Sequence, residues 1–228
     1  MGMFKRLAEE ASEKVLDFFI NLSKRKDVLM SPQQMEKEAG DRARKLAMEA
    51  PEIFGYYEDK PVMQALLEAS RDQGDVTLTT PKIFRELAAP IRMEHPSISE
   101  GVEKTVGEYR DKFTSGQKVP TTPYLDYKII KGPQNIPYMQ ITSHDGRHKT
   151  RALESLGKPS QLVRMYDDEG TQRIKDLDPK TKVYSEKSMS VNENPRFVGT
   201  LGDLFKILGV SGAVAPGALS SLGGKDGS

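Results

Sequence analysis

The chain has 228 residues, of which 36% are hydrophobic and 29% charged, and its formal net charge is +1. This length suits one domain or a core domain with additions, and the near-neutral charge excludes a global attraction to nucleic acid or to an anionic membrane. The chain contains no cysteine, which excludes disulfides, thiolate metal sites and cysteine nucleophiles.

The first residues, MGMFKRLAEE, reach acidic side chains almost at once. A secretory signal peptide instead has a continuous apolar stretch after its basic start. No apolar run approaches the roughly 18 residues that a membrane-spanning helix requires. We therefore expect an intracellular protein with no signal peptide and no membrane span.

The N-terminal segment 1–73 has a helical pattern. Its first helix has an apolar stripe with helical spacing, formed by Phe4, Leu7, Ala11, Val15, Phe18 and Leu22. This stripe predicts packing on the same domain or on a partner, so residues 1–26 are a candidate surface for protein contact or self-association. We expect segment 1–73 to form a helical arm.

Two further helices are predicted within this arm. The second begins at Ser31, where Pro32 suits the first helical position and Gln34 completes a capping box. It ends near residue 51, and a third helix follows over 61–70.

Strand and helix patterns alternate from about residue 74 to 168. Short runs at 76–78, 124–130, 137–142 and 161–166 predict strands, and helices are predicted over 80–87, 99–114 and after Gly146. This alternation predicts an α+β (mixed α/β) domain with a small mixed sheet and helices.

The rest of the chain is divided into two segments. A polar extension covers 169–198. Segment 199–228 begins as a short amphipathic helix capped by Thr200 and continues as a Gly/Ala-rich tail, which we expect to be flexible. The apolar residues of this tail are a second candidate for contact with a protein partner.

One polar stretch, TSHDGRHKTRALESLG, combines a strand end, a glycine turn and a helix start. The free N–H groups at a helix start favour an anion. Basic residues at a helix start are repelled by the positive end of the helix dipole, so their presence there also favours an anion as ligand. The stretch therefore predicts a site for phosphate, a nucleotide or another anion. Its candidate residues are His144, Asp145, Gly146, Arg147, His148, Lys149 and Arg151.

Two other interpretations apply to this stretch. His144 and His148, with Asp145 between them, could hold a divalent ion, but the glycine turn and three basic neighbours disfavour a resident metal. Alternatively, the stretch is only the polar start of a helix whose apolar residues Ala152 and Leu153 pack inward. That packing is compatible with a ligand at the turn.

The run HDGRHKTRALESLG followed by QLVRM resembles the second signature box of the ParB/sulfiredoxin-like superfamily. The matching positions are Gly146, His148, Lys149, Arg151, Ala152, Leu156 and Gly157. The resemblance covers about 75–167, and this wider segment is similar to ParB-like modules of phage proteins and polyproteins. It implies a ParB/sulfiredoxin-like sheet and a box that binds nucleotide phosphates.

The sequence departs from this family in several respects. Arg147 occupies the position of the catalytic cysteine of sulfiredoxins, so sulfiredoxin chemistry is excluded. The first box and the helix-turn-helix region of partition proteins have no evident counterpart. A nuclease would need a carboxylate cluster, for which Asp126 and Asp145 are candidates only by their proximity in sequence. No catalytic residue can be assigned.

The resemblance implies a phage protein that binds a nucleoside triphosphate with Mg²⁺, with weak nucleotide hydrolysis as a further expectation. The Mg²⁺ would arrive with the nucleotide. The alternative is a non-enzymatic, virion-associated or assembly protein that uses its arm and tail for protein contacts. The location would be the host cytoplasm or the virion. Binding of DNA through the domain is a third interpretation, supported by a modest excess of basic residues over 76–198.

Overall fold

A computed structural model describes residues 31–71, 73–90, 96–170, 172–187 and 194–208. The predicted contact surface 1–26 and most of the C-terminal tail lie outside these residues. The helices are α1 (Pro32–Glu49), α2 (Ile53–Tyr56), α3 (Asp59–Ser70), α4 (Pro81–Leu87), α5 (Pro96–Thr114), α6 (Arg147–Ser155) and α7 (Leu201–Leu204). The strands are β1 (Asp75–Thr79), β2 (Tyr124–Lys131), β3 (Pro137–Asp145), β4 (Gln161–Asp167), β5 (Lys182–Tyr184), β6 (Phe197–Thr200) and β7 (Lys206–Ile207).

Helix α1 begins at the predicted capping box. The Ser31 hydroxyl accepts from the Gln34 N–H at 3.3 Å, and the Gln34 side chain accepts from the Ser31 N–H at 2.7 Å. These bonds satisfy two of the N–H groups that lack a partner within the helix. The prediction of this helix and of its cap is confirmed.

Within the described residues, the strands form one seven-stranded mixed sheet in the order β6-β5-β3-β2-β4-β1-β7. Strand β2 is parallel to β4, and β3 is parallel to β5, whereas the other neighbours are antiparallel. The helices and this sheet together make an α+β fold, as the alternating pattern predicted.

Hydrophobic side chains pack on both faces of the sheet. On one face, helices α1, α2, α3, α5 and α6 cover β1 and β4, and Leu46, Val76 and Leu162 share this core. On the other face, α4 and α7 cover a second core that includes Leu125 and Met139. The described helices of segment 1–73 therefore share a core with the sheet. In the described part of the chain, no helix is long and apolar enough to cross a membrane.

Candidate functional site

The predicted phosphate turn joins β3 to α6 at Gly146. This glycine is the N-cap residue of α6 and has φ +106°. A Cβ at Gly146 would lie 2.8 Å from the Cβ of Pro123, so only glycine fits here without a local shift. The close contact with Pro123 fixes where α6 begins and where its first basic residues point.

A cavity of about 390 Å³ lies between the C-terminal end of α4 and the outer face of α6. Four arginines and one carboxylate line it together with five uncharged residues. The lining residues are Phe84, Arg85, Glu86, Ala88, Ala89, Pro90, Arg147, Thr150, Arg151 and Arg196. We call this space the arginine cavity. Its volume is within the range usual for sites that bind small molecules.

The four guanidinium groups of the cavity differ in their partners. Arg85 pairs with Glu154 at 3.0 Å, and Arg151 pairs with Glu103 at 2.6 Å. Two of the four positive charges are thus partly neutralised by carboxylates, and both carboxylates lie outside the cavity lining.

The other two guanidinium groups have no carboxylate partner among the described residues. Arg147 donates from Nη1 to the carbonyl oxygens of Ala89 and Pro90, each at 3.0 Å. Arg196 is exposed, and its guanidinium makes no hydrogen bond or ion pair within that part of the chain. The cavity therefore has an excess of positive charge, which favours an anionic ligand.

One wall of the arginine cavity is apolar. It consists of Phe84 in the middle of α4 and of Ala88, Ala89 and Pro90 after this helix. Thr150 also lines the cavity, but its hydroxyl is already donated to Gln161 Oε1 at 3.1 Å. A ligand that matches this cavity has an anionic part for the arginines and an apolar or flat part for the apolar wall.

The apolar wall is held by Glu186, which the sequence analysis did not single out. Its Oε2 accepts from the Ala89 N–H at 3.1 Å and contacts Nδ1 of His144, and its own N–H donates to the Leu87 carbonyl at 2.8 Å. His144 is 9% exposed. The predicted site residue His144 therefore lies against Glu186 and supports the cavity wall.

His148 is half-buried and Lys149 is buried. Burial lowers the pKa of His148, and the charges of Arg147 and Arg151 lower it further, against the opposite effect of Asp145. Burial also lowers the pKa of Lys149. The Lys149 ammonium donates to the Thr121 carbonyl at 3.3 Å and to the Thr121 hydroxyl, and Lys149 does not line the cavity.

The carboxylates near the turn do not form one group. Asp145 is exposed at the end of β3. Burial raises the pKa of Asp126, and the charges of Asp168 and Glu186 raise it further, while a hydrogen bond with Ser143 lowers it. Among the residues that the structure describes, no group of three or more histidine or carboxylate side chains could hold a metal ion.

Of the seven predicted site residues, Arg147 and Arg151 line the arginine cavity. They are four positions apart on α6 and thus lie on the same helical face. Arg85 and Arg196 were missed because they are more than 40 residues from the turn in sequence. The contact between α4 and α6 brings Arg85 to the cavity, and the position of β6 in the sheet brings Arg196. No local sequence pattern indicates either arrangement.

No family model, no curated protein and no solved structure matches this chain. The resemblance to the ParB/sulfiredoxin-like superfamily therefore stays a prediction. Fold and site together define an α+β protein with a cavity lined by arginines.

Proposed function

We propose that this protein binds a nucleotide in the arginine cavity. The observation that carries the proposal is the placement of four arginines and an apolar wall around a space of about 390 Å³. Phosphate oxygens are strong hydrogen-bond acceptors, and guanidinium groups bind them with two parallel donors. The apolar wall suits the base or the ribose.

The pairing of the arginines supports a polyphosphate rather than a carboxylate ligand. Arg147 and Arg196 supply charge that no described carboxylate neutralises, and Arg151 could exchange its partly exposed pairing with Glu103 for a ligand. Exposed ion pairs contribute only about 0–1 kcal/mol, so this exchange costs little. Mg²⁺ would arrive bound to the phosphates of the nucleotide. Nucleotide hydrolysis is a separate proposal, tested by an assay of phosphate release.

The test is thermal unfolding of the full chain with ATP, CTP, GTP, pyrophosphate and phosphate, each with and without Mg²⁺. A nucleotide at 100 times its dissociation constant stabilises a fold by about 2.7 kcal/mol. For a chain of this size, each kcal/mol raises the melting temperature by about 2–4 °C. We therefore expect a shift of roughly 5–10 °C for one or more nucleotides.

The matched variants are Arg196→Gln and Arg110→Gln. Both arginines are exposed, but Arg110 lies on α5 away from the cavity lining. Loss of a charge-assisted hydrogen bond weakens binding by about 1.5–3 kcal/mol. We expect this loss for Arg196→Gln, and also for Arg151→Ala, and no change for Arg110→Gln. Equal nucleotide affinity in all three variants would refute the proposal, and an equal shift with pyrophosphate alone would remove the base from it.

A further inference from the structure

Three aromatic rings follow one another across the strands at one end of the sheet. The centroids of the Tyr138 and Tyr184 rings are 5.0 Å apart, and those of Tyr184 and Phe197 are 5.8 Å apart. The rings belong to β3, β5 and β6, which are neighbours in the sheet. We call these three residues the aromatic ladder.

The aromatic ladder lies on a sheet face that, at this end, the described helices leave open. Neighbours along a strand point to opposite faces, and Met139 and Val183, which alternate with the ladder residues, are fully buried in the core on the other face. None of the three rings belongs to either core in the described part of the chain. Phe197 is 55% exposed, so the ladder presents apolar ring surface to solvent.

Basic residues flank the ladder on the same face. Lys182 is opposite Tyr138, and Lys128 is opposite Gln140. Neither ammonium group pairs with a carboxylate among the described residues. Asp126 lies on the same face two residues before Lys128, so an anion is favoured at the ladder end of the sheet and disfavoured toward Asp126.

A free amide completes this surface. Gln140 is opposite Tyr184 in the sheet, and within the described chain its side chain makes no hydrogen bond. An amide beside stacked bases can donate to and accept from a ribose 2′-hydroxyl, the group that distinguishes RNA from DNA. Aromatic rings, unpaired ammonium groups and this amide are thus adjacent on one sheet face.

We propose that the aromatic ladder binds single-stranded RNA. Unpaired bases stack on aromatic side chains whatever their sequence, and lysines beside the rings neutralise the phosphates. Duplex RNA cannot use this surface because its bases are already stacked and paired. The proposal is independent of the nucleotide in the arginine cavity, since no residue of the ladder lines that cavity.

The test is fluorescence anisotropy of labelled rU12 with the full chain. Stacking contributes about 1–3 kcal/mol per base, so Phe197→Ala should weaken binding about 5- to 150-fold. Lys182→Gln should weaken binding and reduce its salt dependence, because each phosphate contact on a single strand contributes a slope of about 0.7. Gln140→Ala should reduce the preference for rU12 over dT12.

The matched controls are Ile98→Ala and Lys104→Gln. Ile98 is 45% exposed and Lys104 is exposed, and both lie on α5. Neither should change the affinity for rU12.

Four outcomes would overturn the inference. The first is an unchanged affinity in both Phe197→Ala and Lys182→Gln, and the second is equal competition by duplex RNA or tighter binding of dT12. The third is a concentration-dependent dimer that Phe197→Ala abolishes in a protein without affinity for rU12, since the ladder would then contact a second copy. Loss of rU12 binding in Arg147→Gln but not in Phe197→Ala would place the RNA on the arginine cavity and equally overturn it.

Discussion

Replacement of Gly146 by alanine tests whether the geometry of the turn before α6 is fixed by sterics. Gly146 has φ +106°, and a new Cβ would lie 2.8 Å from Cβ and 3.1 Å from Cα of Pro123. Pro123 cannot easily withdraw, because its carbonyl accepts from the Arg164 N–H at 3.0 Å and the next residue enters β2. The substitution therefore adds both a strained backbone and an overpacked contact.

The two effects have different magnitudes. A positive φ costs a residue with a side chain about 1–2 kcal/mol, and overpacking costs about 1–3 kcal/mol. Together they give about 2–5 kcal/mol, which lowers the melting temperature of a chain of this size by roughly 4–20 °C. Gly146→Ala should also displace Arg147 and Arg151 and so weaken nucleotide binding in the arginine cavity.

Two other glycines separate these effects. Gly157 has φ +65° with nothing within 4 Å of a new Cβ, so Gly157→Ala should cost only the backbone term of about 1–2 kcal/mol. Gly101 is within α5 and also has open space, so Gly101→Ala should stabilise the fold by about 0.5–1 kcal/mol. Urea unfolding of the three variants measures the series. A Gly146→Ala variant no less stable than Gly157→Ala would refute the steric argument.

Three further predictions concern other parts of the fold. Asp75 is 2% exposed and pairs with Arg173 at 2.8 Å. Because Asp75→Ala removes the carboxylate beside a partly buried guanidinium, it should lower the free energy of unfolding in urea by about 3–5 kcal/mol. A loss below 1 kcal/mol would contradict this. Ser31→Ala removes the side-chain half of the α1 cap and should cost about 0.5–2 kcal/mol, whereas Ser31→Asp should retain most of that stability. The pKa of His148 is lowered in the folded protein, so the unfolded chain binds a proton at this side chain first as the pH falls below about 6.5. The contribution of His148 to the free energy of unfolding is therefore full above that pH and decreases below it. Unfolding measured across pH 5–8 should show a smaller loss of stability at low pH for His148→Gln than for the wild type.

The helices with strong end signals could be predicted from the sequence because their determinants are local. Ser31, Pro32 and Gln34 are within four residues and produce the cap that the structure has. Helix α3 begins at Asp59, two residues before the predicted start, because the expected start relied on Pro61, which fits inside the first turn of a helix as well as at its first position.

The arginine cavity could be predicted only in part. Arg147 and Arg151 are on one helix, so their spacing already placed them on a common face. Lys149 was grouped with them by sequence, but its ammonium contacts Thr121, because a position between the two arginines faces a different direction on a helix. Arg85, Arg196 and Glu186 come from three other segments, and only the tertiary structure brings them to α6.

Arg196 and Phe197 make the final prediction, because these consecutive residues belong to different surfaces. Arg196 lines the arginine cavity, whereas the Phe197 ring contacts Tyr184 on the open face. Arg196 directly precedes β6, and its carbonyl accepts from the Ser185 N–H at 2.8 Å. Because neighbours in extended chain point to opposite sides, we expect that each side chain can be changed without moving the other. Arg196→Gln should therefore weaken only nucleotide binding, measured by thermal shift, and Phe197→Ala only rU12 binding, measured by anisotropy. If either variant weakens the binding of both ligands, the two surfaces are coupled through the chain at the start of β6. By linkage, the nucleotide must then change the affinity for RNA by the same factor as RNA changes the affinity for the nucleotide.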